Sequence, residues 1–267
     1  MHLMRDVMTD QVITVGKNDD LYHVMELMTR HNITKVPVLD DGRLVGIVTD
    51  NMIAKKLGSA KKRGIQPSGI KASSMMEKDF EIAHPDAPLA DWLPKVGLAG
   101  LTMVPVVSRG KLIGVHTKAN LLHLVESTAP VEAVMKRNVM TIGPEERLVA
   151  ARRLLLDNDV ARLPVVEGGK VIGIVHEAEI AKAFAMLLQQ IPFEQQQARA
   201  RKMVVRDFMR APVLTGTLGM TVKQVAALMI EHEVGGLPIL DARGVLTGYV
   251  TRTDVCRTIQ LQNGSRR

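Results

Sequence analysis

The stretch Val36-Pro37-Val38-Leu39-Asp40-Asp41-Gly42-Arg43-Leu44-Val45-Gly46-Ile47-Val48-Thr49 decides the fold of this chain. Two apolar runs flank a tight polar turn, which is typical of a β-hairpin. Working outward, the segment before the hairpin carries Leu21, Val24, Met25 and Met28 at helical spacing. This spacing predicts an amphipathic helix that packs its apolar face against the hairpin.

The hairpin pattern occurs four times along the chain. The apolar-Pro-apolar runs are Val36-Pro37-Val38, Val104-Pro105-Val106, Leu163-Pro164-Val165 and Leu237-Pro238-Ile239. A methionine opens each copy, at Met8, Met76, Met135 and Met209. Both series advance by 68, 59 and 74 residues, and a glycine follows each proline after nine residues, or ten in the last copy. Three markers in one register predict four tandem repeats.

Each repeat is predicted to contain a strand, a helix, two strands and a second helix. A short extended run, residues 12–15 in the first repeat, precedes the first helix. The fourth repeat has a turn one residue longer, Asp241-Ala242-Arg243-Gly244, which accounts for its spacing of ten. In the second repeat, Pro94 interrupts the first helix and is expected to shorten or kink it.

Composition restricts the classes of protein that are possible. The chain has 267 residues, of which 46% are hydrophobic and only 3% aromatic, so its cores depend on aliphatic residues and methionine. The single cysteine, Cys256, excludes an internal disulfide and a cysteine-based zinc cluster, and we expect a buried structural thiol. No apolar stretch approaches the roughly 20 residues that span a bilayer. The N-terminus lacks the apolar core of a signal peptide, so a cytoplasmic location is expected.

The four repeats are predicted to pair. A unit of this size with three short strands has little core of its own. We therefore expect the fold class α+β, with repeats one and two forming one module and repeats three and four forming another. The predicted boundaries are 1–71, 72–128, 129–203 and 204–267.

These motifs together resemble the CBS domain, the regulatory module named after cystathionine beta-synthase. The resemblance rests on Met-Thr before an extended run, the Val-Pro-Val strand, and Gly-Ile-Val-Thr before a helix. It covers nearly the whole chain, and four copies are similar in architecture to the gamma subunit of AMP-activated protein kinase. The resemblance implies four βαββα repeats, clefts that bind AMP, ADP, ATP or S-adenosylmethionine, and a role in energy sensing. It also implies no required cofactor, a homodimer or other homo-oligomer, and a regulated protein partner.

The ribose motif of this family is Gly-x-x-Ser/Thr-x-x-Asp, in which the carboxylate can accept hydrogen bonds from both ribose hydroxyls. The fourth repeat keeps the motif, with Thr251 and Asp254, and adds Arg252 and Thr253 between them. The alternative is that Thr251 only caps the helix. The second repeat has Thr117 and then Asn120, which lacks the charge, so weaker binding is expected there.

The first and third repeats depart from the ribose motif. In the first, Met52 stands at the carboxylate position, and Asp50, one residue after Thr49, is expected to point elsewhere on the helix. This pattern indicates a lost site. In the third, His176 and Glu179 replace the two motif residues. The pair is compatible with metal or acid–base chemistry, but no nearby ligand completes a set, so an altered ligand site is favoured.

In paired CBS domains, each ribose motif faces the first and second strands of the partner repeat. The resemblance therefore implies that the Asp254 site is completed by Thr141, Ile142, Gly143, Ala161 and Arg162, and the Asn120 site by Thr14, Gly16, Thr34 and Lys35. Lys35 and Arg162 both stand two residues before a proline, where the other two repeats carry Met103 and Gly236. This placement predicts one anionic adenosyl ligand per module.

The basic character of the chain leaves one alternative function open. The net charge is +7 and the pI about 9.6, with basic residues concentrated in segments 55–71 and 199–202. Nucleic-acid binding through these segments is the second hypothesis, although they lack interleaved aromatic residues. A membrane partner is not expected. No enzyme is predicted, because the chain has no phosphate-binding loop, no dinucleotide fingerprint, no His-Glu-x-x-His and no nucleophile elbow.

Overall fold

A computed structural model describes residues 2–63, 67–96 and 103–260 of the chain. It divides into two compact units. Unit 1 comprises Met1–Val12, Glu81–Val139 and Leu214–Arg267, and unit 2 comprises Ile13–Phe80 and Met140–Val213. Each unit has its own hydrophobic core. Unit 1 thus combines strands of the second and fourth repeats, and unit 2 those of the first and third. The predicted repeat boundaries and module pairing stay predictions.

The hairpins and the helices on either side of them follow the predicted order, and two helices, Met4–Val7 and Phe193–Lys202, were not predicted. The first repeat contains α1 (Met4–Val7), β1 (Val15–Gly16), α2 (Leu21–Arg30), β2 (Lys35–Asp40), β3 (Arg43–Thr49) and α3 (Asp50–Arg63). The second contains α4 (Leu93–Val96), β4 (Met103–Ser108), β5 (Lys111–Thr117) and α5 (Lys118–Leu121). The third contains α6 (Leu148–Asp157), β6 (Arg162–Glu167), β7 (Lys170–His176), α7 (Glu177–Gln190) and α8 (Phe193–Lys202). The fourth contains β8 (Gly216–Thr217), α9 (Val222–Glu231), β9 (Gly236–Leu240), β10 (Leu246–Thr251) and α10 (Arg252–Cys256).

Every repeat is built on an antiparallel hairpin with a parallel strand or bridge beside it. The first and fourth repeats have three-stranded sheets, in which β1 runs parallel to β2 and β8 parallel to β9. In the second and third repeats the first strand is reduced to one parallel bridge, Ala83 with Val106 and Ile142 with Val165. The predicted α+β class is confirmed, and the predicted first strand is a regular strand in the first and fourth repeats and a single bridge in the other two.

The hairpin turns explain the polar residues between the strands. Asp41 and Gly42 have φ angles of 48° and 76°, so both adopt the left-handed conformation of a type I′ turn. Arg109-Gly110 and Gly168-Gly169 repeat this geometry. In the fourth repeat the Gly244 amide donates to the Asp241 carbonyl at 3.0 Å, which closes the predicted longer turn.

The first helices carry the predicted apolar faces. α2 buries Leu21, Val24 and Met28, and the Asp20 side chain accepts a hydrogen bond from the His23 amide to cap its start. α9 buries an equivalent face, made of Val222, Val225, Ala226 and Met229. In the second repeat the corresponding helix is α4, which contains Pro94 and reaches the end of the described stretch at Val96. Leu89–Asp91 form a separate 3-10 helix and α4 begins only at Leu93, so the predicted interruption of that helix is confirmed.

The methionine and glycine markers of the repeat are contact partners. Within unit 2, Met76 lies against Gly46 and Met209 against Gly173; within unit 1, Met8 lies against Gly114 and Met135 against Gly248. A Cβ atom at any of these glycines would come closer than 3.0 Å to the methionine side chain. Glycine is therefore required for this packing. Each methionine that opens one repeat covers the hairpin of another repeat.

The single cysteine is buried, as the sequence predicts. Cys256 is 5% exposed, and its buried position in unit 1 confirms the predicted structural thiol. Burial raises the pKa of this thiol to about 12. Among the described residues, no helix is both long and apolar enough to cross a membrane.

Candidate functional site

The ribose motif of the fourth repeat lies where β10 ends and α10 begins. Thr251 is the N-cap of α10, and its amide and hydroxyl both donate to Asp254 Oδ2, at 2.9 and 2.6 Å. The Asp254 amide approaches Thr251 Oγ1 at 3.4 Å, which completes a capping box. Asp254 is only 4% exposed, so the box fixes a carboxylate inside unit 1.

The second oxygen of this carboxylate has a different environment. Asp254 Oδ1 lies 3.8 Å from Arg257 Nη1, a longer ion pair whose arginine is half exposed. One oxygen is thus held by the cap while the other has a weaker protein partner. A carboxylate in this arrangement retains the capacity to accept a hydrogen bond from a hydroxyl of a ligand.

The second repeat forms the same box with a neutral side chain. The amide and hydroxyl of Thr117 donate to Asn120 Oδ1 at 2.8 and 2.9 Å. The Asn120 amide nitrogen donates to Thr9 Oγ1 at 3.0 Å. Thr117 and Asn120 therefore reproduce the geometry of Thr251 and Asp254 without the negative charge.

The starts of α5 and α10 lie together in unit 1. Lys118 Nζ donates to Thr253 Oγ1 at 2.7 Å, and the Cys256 thiol lies 3.6 Å from the Lys118 carbonyl. Burial lowers the pKa of Lys118, and the nearby Asp254 opposes this change. Lys118 was absent from the predicted set. Its position directly after Thr117, equivalent to that of Arg252 after Thr251, is the signal that could have identified it.

The first and third repeats use their motif positions for helix capping. In the first, Thr49 Oγ1 accepts from the Met52 amide at 3.2 Å. In the third, His176 Nδ1 accepts from the Ala178 amide at 3.0 Å, and the His176 amide donates to Glu179 Oε2 at 3.2 Å. Glu179 also forms an ion pair with Arg210 at 2.5 Å. His176 and Glu179 are thus engaged in local structure.

The first-strand residues of the predicted set lie at matching turns in unit 2. The Gly16 amide donates to Asp19 Oδ2 at 2.8 Å, and the Gly143 amide donates to Glu146 Oε1 at 3.1 Å. Ile142 is 2% exposed and belongs to the hydrophobic core of the unit. The apolar side chain of Ile142 therefore contributes to packing.

The two units divide the fifteen predicted residues between them. Unit 1 holds Thr117, Asn120, Thr251, Arg252, Thr253 and Asp254, and unit 2 holds Thr14, Gly16, Thr34, Lys35, Thr141, Ile142, Gly143, Ala161 and Arg162. Their assignment to two ligand clefts stays a prediction. In the described part of the chain, no three His, Cys, Asp or Glu side chains are grouped so that they could hold a metal ion.

Comparison with known proteins agrees with this architecture. The family model of the CBS domain matches residues 4–59, 131–186 and 205–261, and the second repeat, with its interrupted first helix, lies outside these ranges. The crystal structure of protein MJ1225 from Methanocaldococcus jannaschii, which has been proposed as an archaeal homologue of g-AMPK, superposes with a TM-score of 0.83. The identity is 20%, over 97% of this chain and 100% of that one. This likeness shows the fold.

Two curated relatives come from the same archaeon. The uncharacterised protein MJ1404 of Methanocaldococcus jannaschii is 25% identical over 259 residues, a match that covers 88% of this chain and 61% of the relative. MJ1225 is 26% identical over 200 residues, which cover 68% of this chain and 70% of the relative. The chain thus spans less than two thirds of the length of MJ1404. With three matches of the family model over more than half of its length, the chain belongs to the CBS domain family.

Proposed function

We propose that this protein is a non-catalytic regulator that binds an adenosyl ligand, AMP, ADP, ATP or S-adenosylmethionine, in clefts formed by its CBS repeats. The observation that carries the proposal is the pair of equivalent boxes in unit 1, Thr251 with Asp254 and Thr117 with Asn120. These residues stand at the positions of the family's ribose motif. Regulation of a partner protein, self-association and energy sensing in the cytoplasm are parts of the same proposal.

The chemistry of the box suits a ribose. A carboxylate can accept hydrogen bonds from two neighbouring hydroxyls, and such charge-assisted bonds are stronger than neutral ones. Asp254 supplies this carboxylate and Lys118 lies close to it as a cation. Asn120 is uncharged, so its hydrogen bonds to a ribose would be neutral and weaker. We therefore propose the fourth repeat as the stronger site and the second repeat as the weaker one.

The chain itself supplies a matched substitution for the test. Asp254→Asn should preserve the capping box, because Asn120 already makes the equivalent hydrogen bonds in the second repeat. Thermal unfolding is measured with each of the four ligands for wild type, Asp254→Asn and Asn120→Asp. At a hundred times the dissociation constant, a ligand should stabilise wild type by about 2.7 kcal/mol.

Each outcome of this experiment bears on the proposal. The expected result is a smaller ligand-induced shift for Asp254→Asn and a larger one for Asn120→Asp, with little change in ligand-free stability. If none of the four ligands shifts the melting of wild type, the proposed function is wrong. If Asp254→Asn responds like wild type, Asp254 does not contact the ligand.

Nucleic-acid binding remains the second candidate because of one observation in unit 2. Arg199, Arg201 and Lys202 are exposed in the last turn of α8. Of the other basic segment, residues 64–66 and the side chains of 58–63 and 67 lie outside the described residues. Binding to a DNA or RNA duplex should weaken steeply as salt increases, since each phosphate contact releases counterions. This candidate is refuted if a variant with Glu in place of Arg199, Arg201 and Lys202 binds the duplex as tightly as wild type.

A further inference from the structure

The residue after each opening methionine has the same backbone position in all four repeats. It forms an isolated β-bridge with the hairpin of another repeat, two residues before the hydroxyl position of the ribose motif. Both hydrogen bonds of every bridge are formed, with N···O distances between 2.8 and 3.0 Å. These bridge residues and their partners are Thr9 with Val115, Glu77 with Ile47, Lys136 with Tyr249 and Arg210 with Ile174. One backbone arrangement thus carries four different side chains.

Two of the bridge residues contact the last residue of a motif. In unit 2, Arg210 Nε donates to Glu179 Oε1 at 2.5 Å. In unit 1, Asn120 Nδ2 donates to Thr9 Oγ1 at 3.0 Å. Glu179 and Asn120 stand where the fourth repeat has Asp254. The bridge therefore places its side chain against the carboxylate position of the motif.

These contacts fall on the atom that the capping box does not use. Glu179 Oε2 accepts from the His176 amide at 3.2 Å, while Oε1 binds Arg210. Asn120 uses Oδ1 for the box with Thr117 and Nδ2 for its bridge residue. The atom taken by the bridge residue corresponds to the carboxylate oxygen that, in the fourth repeat, is proposed to accept from a ribose.

The fourth repeat differs because its bridge residue is Lys136. Lys136 is exposed, and its ammonium forms no ion pair with any residue that the structure describes. The ion-pair partner of Asp254 Oδ1 is instead Arg257, at the longer distance of 3.8 Å. The second oxygen of this motif is therefore not held by its bridge residue.

Stability alone does not account for the ion pair of Arg210. The arginine side chain is 62% exposed, and pairs with an exposed partner contribute little because water and salt screen them. The bridge itself is formed by backbone groups, which any residue other than proline supplies. A guanidinium does, however, present N–H donors to a carboxylate much as a ribose diol presents its two O–H donors.

We propose that Arg210 is a specificity-determining residue that closes the motif of the third repeat, because its guanidinium takes the place of the ribose hydroxyls at Glu179. The third motif is then a ribose site occupied by the chain's own side chain. The bridge residue distinguishes the repeats: Arg210 closes the third motif, and Lys136 leaves the fourth open. The ligand class, a nucleoside with both ribose hydroxyls, rests on the proposed function. A ligand has to displace Arg210, which lowers its apparent affinity by the fraction of open sites.

The test counts binding sites by isothermal titration calorimetry with AMP and with S-adenosylmethionine. Arg210→Ala should bind one more ligand per chain than wild type. The matched control is Arg206→Ala, which removes another partly exposed arginine of unit 2 whose ion pairs are with Glu145 and Glu167. The control should bind as many ligands as wild type. Thermal unfolding without ligand should show that both variants keep the fold.

Two further measurements locate the added site. In the double variant with Glu179→Gln, the capping box can persist, as it does around the neutral Asn120, but the added site should bind at least about tenfold more weakly. The analogue 2′-deoxy-AMP lacks one ribose hydroxyl. It should also bind the added site at least about tenfold more weakly than AMP does.

The outcomes separate this proposal from the proposed function. If wild type binds a ligand and Arg210→Ala binds no more of it, Arg210 does not close the motif, while the proposed function stands. A site that also appears in Arg206→Ala, or that is unchanged by Glu179→Gln or by loss of the 2′-hydroxyl, likewise overturns the assignment. If wild type binds neither ligand, the proposed function is wrong. In that case a ribose-dependent site that appears only in Arg210→Ala supports the closed motif, and its absence refutes it.

Discussion

The buried carboxyl group of Glu177 leads to a prediction about how stability depends on pH. Its pKa is raised from 4.5 to about 7, mainly by burial. A carboxyl group whose pKa is higher in the folded than in the unfolded chain stabilises the fold while it is protonated. This contribution is complete below the unfolded pKa and is lost as the pH rises through about 7. Removing the ionisable group should therefore stabilise the protein at high pH.

The substitution Glu177→Gln isolates this effect. It keeps the oxygen that accepts the 2.6 Å hydrogen bond from Asn51 and removes the titration. Each pKa unit corresponds to about 1.36 kcal/mol. For the shift given above, wild type should lose about 2.5 kcal/mol of unfolding free energy relative to the variant between about pH 5 and about pH 8.

Urea denaturation at both pH values measures the difference directly. The control Glu194→Gln changes an exposed carboxylate at the start of α8, and its difference from wild type should stay nearly constant with pH. The reasoning is refuted if the Glu177→Gln difference is equally constant, or if the variant loses stability relative to wild type as the pH rises.

Three further predictions concern packing and protonation elsewhere. Gly46→Ala should lower the unfolding free energy by about 1–3 kcal/mol, because its Cβ would lie 2.9 Å from the backbone oxygen of Glu77. Gly143→Ala is the control, with its nearest contact at 3.5 Å, and equal losses in urea denaturation would contradict the packing argument. Burial lowers the pKa of His116 to about 4, so its contribution to stability is lost as the pH falls from 6.5 through that value. His116→Gln should gain about 3 kcal/mol relative to wild type between about pH 7 and about pH 4, and a difference independent of pH would count against it. The Cys256 thiol should react far more slowly with iodoacetamide in the native chain than in urea, since it is buried with a pKa of about 12; equal rates would be inconsistent with its burial.

Local features of the fold could be predicted because short stretches of sequence determine them. A two-residue turn needs left-handed backbone, which Asp41 and Gly42 adopt at low energetic cost. Pro94 has no amide to donate within a continuous helix, and α4 accordingly begins only at Leu93, after the 3-10 helix Leu89–Asp91. The repeat period then placed equivalent elements in all four copies.

The contacts between repeats could not be predicted in the same way. A period shows which residues are equivalent, but it does not show which copy packs on which. Met8 opens the first repeat and yet lies against Gly114 of the second, while Met76 of the second lies against Gly46 of the first. Because the four methionine and glycine pairs are nearly identical in sequence, only the three-dimensional structure distinguishes these combinations.

The motif residues show a second limit of sequence reasoning. Thr251 and Asp254 were predicted as a ligand site, with helix capping as the alternative, and the structure shows that the cap is formed. The cap occupies Oδ2 of Asp254, and the proposed ligand contact would use the other carboxylate oxygen, Oδ1. The capping box therefore orients the carboxylate without using its full capacity to accept hydrogen bonds.

Asp50 shows how sequence reasoning can miss the surroundings of a buried charged residue. Sequence reasoning compared it with the ribose motif, found it one residue after Thr49, and expected it to point elsewhere on the helix. It does point elsewhere, toward His176 and the start of α7 in the third repeat. Burial raises the pKa of the Asp50 carboxyl, and Lys35, the Asn51 amide and Arg162 act in the opposite direction. The first position of the helix after the hairpin carries Lys118 and Arg252 in unit 1 and Asp50 and Glu177 in unit 2, so the four copies share one backbone and differ in charge at this position.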